Sequence, residues 1–258
     1  MSRDSTAKVL VVALLLCLVC AVLVSTAAVG LSSRQERNKV EEKRRNILLA
    51  AGLYDADRPI AEQFGKIQPR IVDLHTGEFT DAFDAATFDS RAAARAAETR
   101  HPIAADRDLA AIKARSRYMD VYLVMADGRL QQVILPVHGK GLWSTMYGFI
   151  ALAADLNTVN GFAFYEHGET PGLGGEIDNP AWKAQWPGKK IYDATGQLRI
   201  EVLKGTVDPD SARAIHQVDG IAGATLTARG VGNLLRYWLG EDGYRTFLET
   251  LQREGVKG

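Results

Sequence analysis

The chain has 258 residues, 31 Lys and Arg against 31 Asp and Glu, 47% hydrophobic residues and two cysteines. That length suffices for one large domain or two small ones. Zero net charge, with no Arg/Lys-rich block interleaved with aromatics, excludes a nucleic-acid binder that works by phosphate neutralisation. Two cysteines exclude a disulfide scaffold or a zinc site of four thiolates.

The charges are unevenly placed: none occurs between Lys8 and Arg34, across VLVVALLLCLVCAVLV and the small residues that follow. As a helix rising about 1.5 Å per residue, this run exceeds a hydrocarbon core of about 30 Å. A cleaved signal peptide competes, with Arg3 and Lys8 as its basic lead, but such a peptide has an apolar core of about 7–15 residues. The longer run favours a retained single-pass anchor over residues 1–33. Its orientation stays open. Counting Arg34, Arg37, Lys39, Lys43, Arg44 and Arg45 against Arg3 and Lys8 keeps the C-terminal side in the cytoplasm, a rule that weakens for long translocated domains. Cys17 and Cys20 both fall inside the anchor, leaving the remainder without a thiol, which suits an oxidising compartment. Their spacing places them on one helix face, either as small apolar residues or in contact with a redox group of another subunit.

Residues 34–258 are expected to form one domain, with a helical or irregular part at 34–118 and a core at 119–258. From Gln35 to Leu53 a polar helix becomes amphipathic, with Ile47, Leu48, Leu49 and Leu53 at near-helical spacing. The Ala-rich, mixed-charge stretch from Asp89 to Arg117 reads as solvated helices or connections without a site. Strands follow. VYLVMA, Asp127-Gly128 and LQQVILPV form a hairpin pattern, and IALAADL with VNGFAFYEH repeats it around Asn157. Asn179-Pro180 supplies an N-cap and first-turn proline to a short helix AWKAQW. LRIEVLKG is a further strand, and two helices are predicted over 223–239 and 241–253. The fold class is therefore α+β, a transmembrane helix followed by one domain with a largely antiparallel sheet.

The five histidines are scattered without helical metal spacing, so no metal site is predicted. No G-x-S-x-G elbow is present, which argues against a hydrolase. Two glycine-rich stretches remain. In Asp219-Gly220-Ile221-Ala222-Gly223-Ala224-Thr225-Leu226-Thr227, small residues lead into a helix whose free N-terminal amides favour an anion beside Thr225. The alternative is that Thr225 or Thr227 simply caps the helix. In Glu166-His167-Gly168-Glu169-Thr170-Pro171-Gly172-Leu173-Gly174-Gly175-Glu176, a tight loop could line a flat ligand. Trp143, within GKGLWSTMYG, is either part of such a site or a core aromatic.

Together these segments resemble a known family. DGIAGAT matches the D-G-x-[S/T]-G-A-T target of the flavin transferase that joins FMN through its phosphate to threonine, with Thr225 as the acceptor. With the anchor, KRRNILLAAGLYD, GKGLWSTMYGFIAL and YEHGETPGLGGEI, the chain is similar to the C subunits of the sodium-translocating NADH:quinone oxidoreductases over nearly its whole length. One departure is Ala222, where Ser or Thr is usual; it removes a hydroxyl contact and leaves the acceptor in place. The resemblance implies a periplasmic domain on a bacterial inner-membrane anchor, in a six-subunit complex that reduces ubiquinone with NADH and moves sodium. It also implies FMN held by a phosphoester at Thr225 and relaying electrons singly between partner subunits, with no catalytic residue of the domain's own. By the same resemblance Gly223, Ala224 and Thr227 belong to the cofactor site, Glu169, Thr170, Gly172 and Leu173 lie near the isoalloxazine, Trp143 belongs to the site, and Lys204 is a neighbour that would favour the reduced, anionic ring. The related flavoprotein subunit of the ferredoxin:NAD oxidoreductases is the nearest rival. A membrane-tethered non-redox FMN-binding module and a purely structural assembly subunit are the others.

Overall fold

The computed structural model describes residues 6–256. Helix α1 (Thr6–Ala50) holds one segment, Lys8–Ser32, long and apolar enough to cross a membrane. The chain divides into two compact units between Lys43 and Arg44, ten residues beyond the boundary expected at 33 because the helix continues unbroken past the apolar run. In the first unit Cys17 and Cys20 are exposed on the helix, as are the leucines and valines around them.

The second unit is α+β. After α2 (Ile60–Phe64) come β1 (Ile67–Asp73), β2 (Glu78–Thr80), α3 (Ser90–Ala93), β3 (Arg100–Pro102) and β4 (Ala114–Ser116). The central strands β5 (Tyr118–Ala126), β6 (Arg129–Lys140), β7 (Thr145–Ala153) and β8 (Val159–Glu166) follow. Helix α4 (Pro180–Lys183), the two-residue strands β9 (Glu201–Val202) and β10 (Gln217–Val218), then α5 (Thr225–Trp238) and α6 (Arg245–Glu254) complete the unit. The main sheet runs β2-β1-β5-β6-β7-β8, every pair antiparallel; β9 and β10 pair with each other in parallel.

Strand alternation sorts the core into two layers. Met119, Val121, Leu123, Val133, Leu135, Val137, Ile150 and Leu152 face one layer, closed by Val231, Leu234, Leu235 and Trp238 of α5 and by Phe247, Leu248 and Leu251 of α6. Tyr122, Ile134, Phe149, Ala151 and Ala163 face the other, closed by Ile47, Leu48 and Ala50 at the end of α1. The Asp127-Gly128 hairpin forms as read: both residues take positive φ, 51° and 72°, the geometry of a type I′ turn. Asn179 caps α4 by accepting from Ala181 N at 2.9 Å.

Several expectations are corrected. Residues 34–118 are not only helical or irregular, because β1 pairs with β5 from Ile67↔Val124 to Asp73↔Tyr118 and so belongs to the main sheet. Pro69 and Arg70 interrupt the apolar alternation of that strand and hide it from a periodicity reading. The stretch 89–117 holds the β3–β4 pair and the buried Arg115 and Ser116, so it is not merely solvated. LRIEVLKG narrows to two strand residues. In the amphipathic end of α1, Ile47 and Leu48 are fully buried, whereas Leu49 and Leu53 are exposed.

Candidate functional site

The glycine-rich stretch 219–227 becomes the N-terminus of α5. The N-cap position is Ala224, which has no polar side chain to bond the backbone, and Thr225 is the first helical residue, exposed. Neither threonine caps the helix. The first amides of α5 therefore have no intrahelical acceptor, and the positive end of the helix dipole lies behind them. Gly223 holds φ at +72°, a conformation that side-chain-bearing residues adopt at a cost. A Cβ there would also lie 3.0 Å from Leu173 Cδ2, so Leu173 closes directly over this glycine.

Upstream, Asp219 fixes the approach. Its Oδ1 accepts from Val207 N at 2.7 Å, its carbonyl from Trp182 Nε1 at 2.9 Å, and its amide donates to Gln185 Oε1 at 3.0 Å. Gly220 donates to the Gly205 carbonyl at 2.8 Å, and a Cβ on Gly220 would meet Lys204 C at 3.1 Å. The Lys204 backbone thus runs against the acceptor loop, and the residue is exposed.

Thr170-Pro171-Gly172-Leu173 is a tight turn, closed by Leu173 N donating to the Thr170 carbonyl at 3.1 Å. Gly172, at φ +73°, occupies the position where a type II turn requires glycine, and proline precedes it. The turn leaves Thr170 and Leu173 exposed. Between β6 and β7, residues 141–144 close another turn, Gly141 N donating to the Ser144 carbonyl at 2.8 Å, which holds Trp143 outward.

Glu169 joins these three segments. Its Oε1 accepts from Trp143 N at 3.0 Å and Ser144 N at 3.3 Å; its Oε2 accepts from Leu142 N at 3.2 Å and from Thr227 Oγ1 at 2.5 Å. Burial pushes the Glu169 carboxyl up, but the Thr227 hydroxyl and the three amides outweigh it and hold the group below the usual carboxylate range. The packing leaves no spare room, since a Cβ on Gly141 would lie 2.5 Å from Glu169 Oε1 and one on Gly174 2.5 Å from Thr227 Oγ1.

The structure brings Trp143, Glu169, Thr170, Gly172, Leu173, Gly223, Ala224, Thr225 and Thr227 into one neighbourhood, in two roles. Trp143 (66% exposed) and Leu173 (45%) lie at the surface on the segments around Thr225. Glu169 and Thr227 are buried, with their polar atoms spent on each other and on backbone amides. These two hold the loops together from beneath: the third residue of α5 points inward, and Glu169 meets it there. Sequence reading missed Leu142 and Leu226, at 42% and 52% exposure, which extend an apolar rim on the same segments. Their adjacency to Trp143 and Thr225 was the available signal. It also missed the anchoring by Asp219, Trp182 and Gln185.

This geometry, an apolar rim beside an uncapped helix N-terminus, is that of a surface suited to a planar, anion-bearing ligand. Residues 141–240, which contain every residue of the site, match the FMN-binding domain model. The C subunit of the Na(+)-translocating NADH-quinone reductase from Pseudomonas aeruginosa is 52% identical over 256 residues, covering 98% of each chain. The same subunit from Vibrio alginolyticus is 46% identical, covering 96% of this chain and 95% of its own. The crystal structure of Shewanella oneidensis NqrC matches with a TM-score of 0.78 at 36% identity, covering 84% of this chain and all of that one. The chain belongs to the family of C subunits of the Na(+)-translocating NADH-quinone reductases.

Proposed function

We propose that the chain carries FMN esterified through its phosphate to Thr225 Oγ1 and relays electrons one at a time between partner subunits of a sodium-translocating NADH:quinone reductase. The observation that carries the reading is Thr225 itself, exposed as the first residue of an uncapped α5 inside DGIAGAT. Bound FMN supplies the electron-accepting and electron-donating chemistry, and the protein supplies attachment and environment. Forming the ester breaks the Thr225 O–H bond and one P–O bond of the flavin phosphate donor, the proton and the displaced oxygen group leaving together, so that the chain gains FMN less one water. The α5 amides and dipole hold the phosphate's remaining charge. Leu173, Trp143, Leu142 and Leu226 offer apolar contact to the ring, and Thr170 an exposed hydroxyl at its edge. Lys204 adds positive charge near the acceptor loop, favouring an anionic reduced ring. Glu169 and Thr227 keep the three loops in register.

An ester suits a carrier outside the membrane, because it removes dissociation altogether. On this reading α1 anchors the chain in the bacterial inner membrane, the domain is periplasmic, five further subunits make up the rest of the complex, and a flavin transferase installs the cofactor. Coexpression of wild type or Thr225→Ala with a flavin transferase tests it by denaturing-gel fluorescence and intact mass. Wild type is expected to gain the mass of FMN less one water and to fluoresce, and the variant to do neither while melting as wild type does. An unmodified wild-type chain, or full sodium-dependent quinone reduction by a Thr225→Ala complex, refutes the reading.

A further inference from the structure

Outside the cofactor site, a cleft of about 630 Å³ opens between α3, the β3–β4 segment and the adjoining ends of β6 and β7. Its walls carry Arg91, Arg95, Arg100 and Lys113, with His138 and Tyr147 beneath, and include no carboxylate. In a chain with equal numbers of basic and acidic residues this is a marked segregation of charge. Four other clefts on the domain each contain at least one Asp or Glu.

Two acids near the cleft, Glu166 and Asp108, are already engaged. Glu166 accepts from Arg91 Nη1 at 2.8 Å. Asp108 accepts from the amides of Ile112 at 2.9 Å and Lys113 at 2.7 Å. Arg91 is fixed as a wall, its second nitrogen on Tyr165 Oη at 2.9 Å and its guanidinium 3.4 Å above the Tyr147 ring. Arg95 Nε donates to the Arg91 carbonyl at 3.1 Å, which orients its guanidinium. Arg95, Arg100 and Lys113 are exposed, and none has an ion-pair partner among the described residues.

A second observation lies in the backbone of the same wall. Ala111 and Lys113 hold φ at +52° and +64°, a region non-glycine residues occupy at a cost. The Asp108 carboxylate, by taking the two amides, maintains that shape and sets Lys113 on the rim. The free cations Arg95, Arg100 and Lys113 are spread over the rim on three segments, with His138 among the residues that line the cleft. That layout suits an extended chain bearing several carboxylates better than one small anion.

We propose that this cleft docks an acidic segment of a neighbouring subunit of the complex. The inference rests on the chain working as one subunit among several. Thr145, on the cleft wall, directly follows the 141–144 turn that Glu169 holds, so a partner seated here would lie beside the cofactor site. Docking at this point would place an electron partner by charge pairing without covering the apolar rim.

Zero-length carbodiimide coupling of the purified, detergent-solubilised complex tests it, since the reagent joins the Lys113 amine to a touching carboxylate as an amide with loss of water. Peptide mass spectrometry should find Lys113 joined to an Asp or Glu of another subunit. Arg95→Glu combined with Arg100→Glu should lower that yield at least ten-fold with unchanged melting. Lys113→Arg should abolish the link while the subunit stays bound. Coupling of Lys113 only to its own chain, such as Asp108, or no coupling, overturns the proposal. So does an unchanged link in the double variant accompanied by loss of a co-purifying anionic lipid. Covalent flavin measured in the same sample separates failure of this docking from failure of the FMN assignment.

Discussion

Replacing Glu169 by glutamine keeps the side chain's shape and changes only its charge and one acceptor. Four donors converge on the carboxylate: the amides of Leu142, Trp143 and Ser144 and the Thr227 hydroxyl. In Glu169→Gln the amide oxygen retains Trp143 and Ser144 from the Oε1 position, and the NH2 group donates to a reoriented Thr227 hydroxyl. The Leu142 amide then faces a donor and loses its acceptor, a cost of about 1–3 kcal/mol. The two retained bonds each lose about 1 kcal/mol as they fall from charged to neutral strength, so the total is about 3–5 kcal/mol. For a domain of this size that lowers Tm by about 6–20 °C.

The pH dependence gives a second reading of the same group. Because the folded-state carboxyl lies below its usual range, its stabilisation is fully present above the unfolded value and is lost as pH falls through the folded one. The gap between wild type and Glu169→Gln should therefore be constant at neutral pH and close on acidification below about 4. Thermal unfolding of the full chain in detergent across pH measures both. A Glu169→Gln variant melting within about 1 °C of wild type at neutral pH, well short of the expected drop, would refute the clamp. So would a gap that widens in acid.

Three further outcomes follow from individual contacts. Gly223→Ala should lose about 1–2 kcal/mol from its positive φ and, by pushing Leu173 Cδ2 from a 3.0 Å approach, lower flavin attachment at matched expression, read by gel fluorescence. Gly230→Ala sets a helix-propensity gain of about 1 kcal/mol against a Cβ placed 2.5 Å from the Lys140 carbonyl, a backbone atom that cannot step aside. The clash wins, and denaturant unfolding should show a net loss of about 1–3 kcal/mol. Burial, with the Arg91 charge adding to it, pushes His138 down to about 4. Its contribution, on the order of 3 kcal/mol, is full above about pH 6.5 and lost as pH falls toward 4. Wild-type Tm should therefore drop over that window, and His138→Phe should flatten the drop.

Much of the architecture was legible because its signals are local. The uncharged run before Arg34, the Asp127-Gly128 turn, the Asn179 cap and the motif around Thr225 each lie within consecutive residues. Each is decided by backbone conformation or by transfer into an apolar phase, which neighbours in sequence control. Thr225 stood out through that motif, whereas Gly172 and Gly223, both at positive φ, were named as site residues only through the family resemblance.

What tertiary structure alone decided involves partners far apart in the chain. β1 joins the main sheet because Ile67–Asp73 finds β5 far along the chain, a pairing that Pro69 and Arg70 conceal in the sequence. Glu169 and Thr227, 58 residues apart, turn inward because each satisfies the other in the interior. Trp143, equally able to be a core aromatic, is held outward by a turn that Glu169 closes from 26 residues away. The basic cleft gathers Arg91, Arg100, Lys113 and His138 from segments whose compositions looked merely solvated or sheet-forming. Residue chemistry and local spacing determined which groups could act; burial and long-range hydrogen bonding, which depend on the whole packing, determined which of them reach the surface and which hold the others in place.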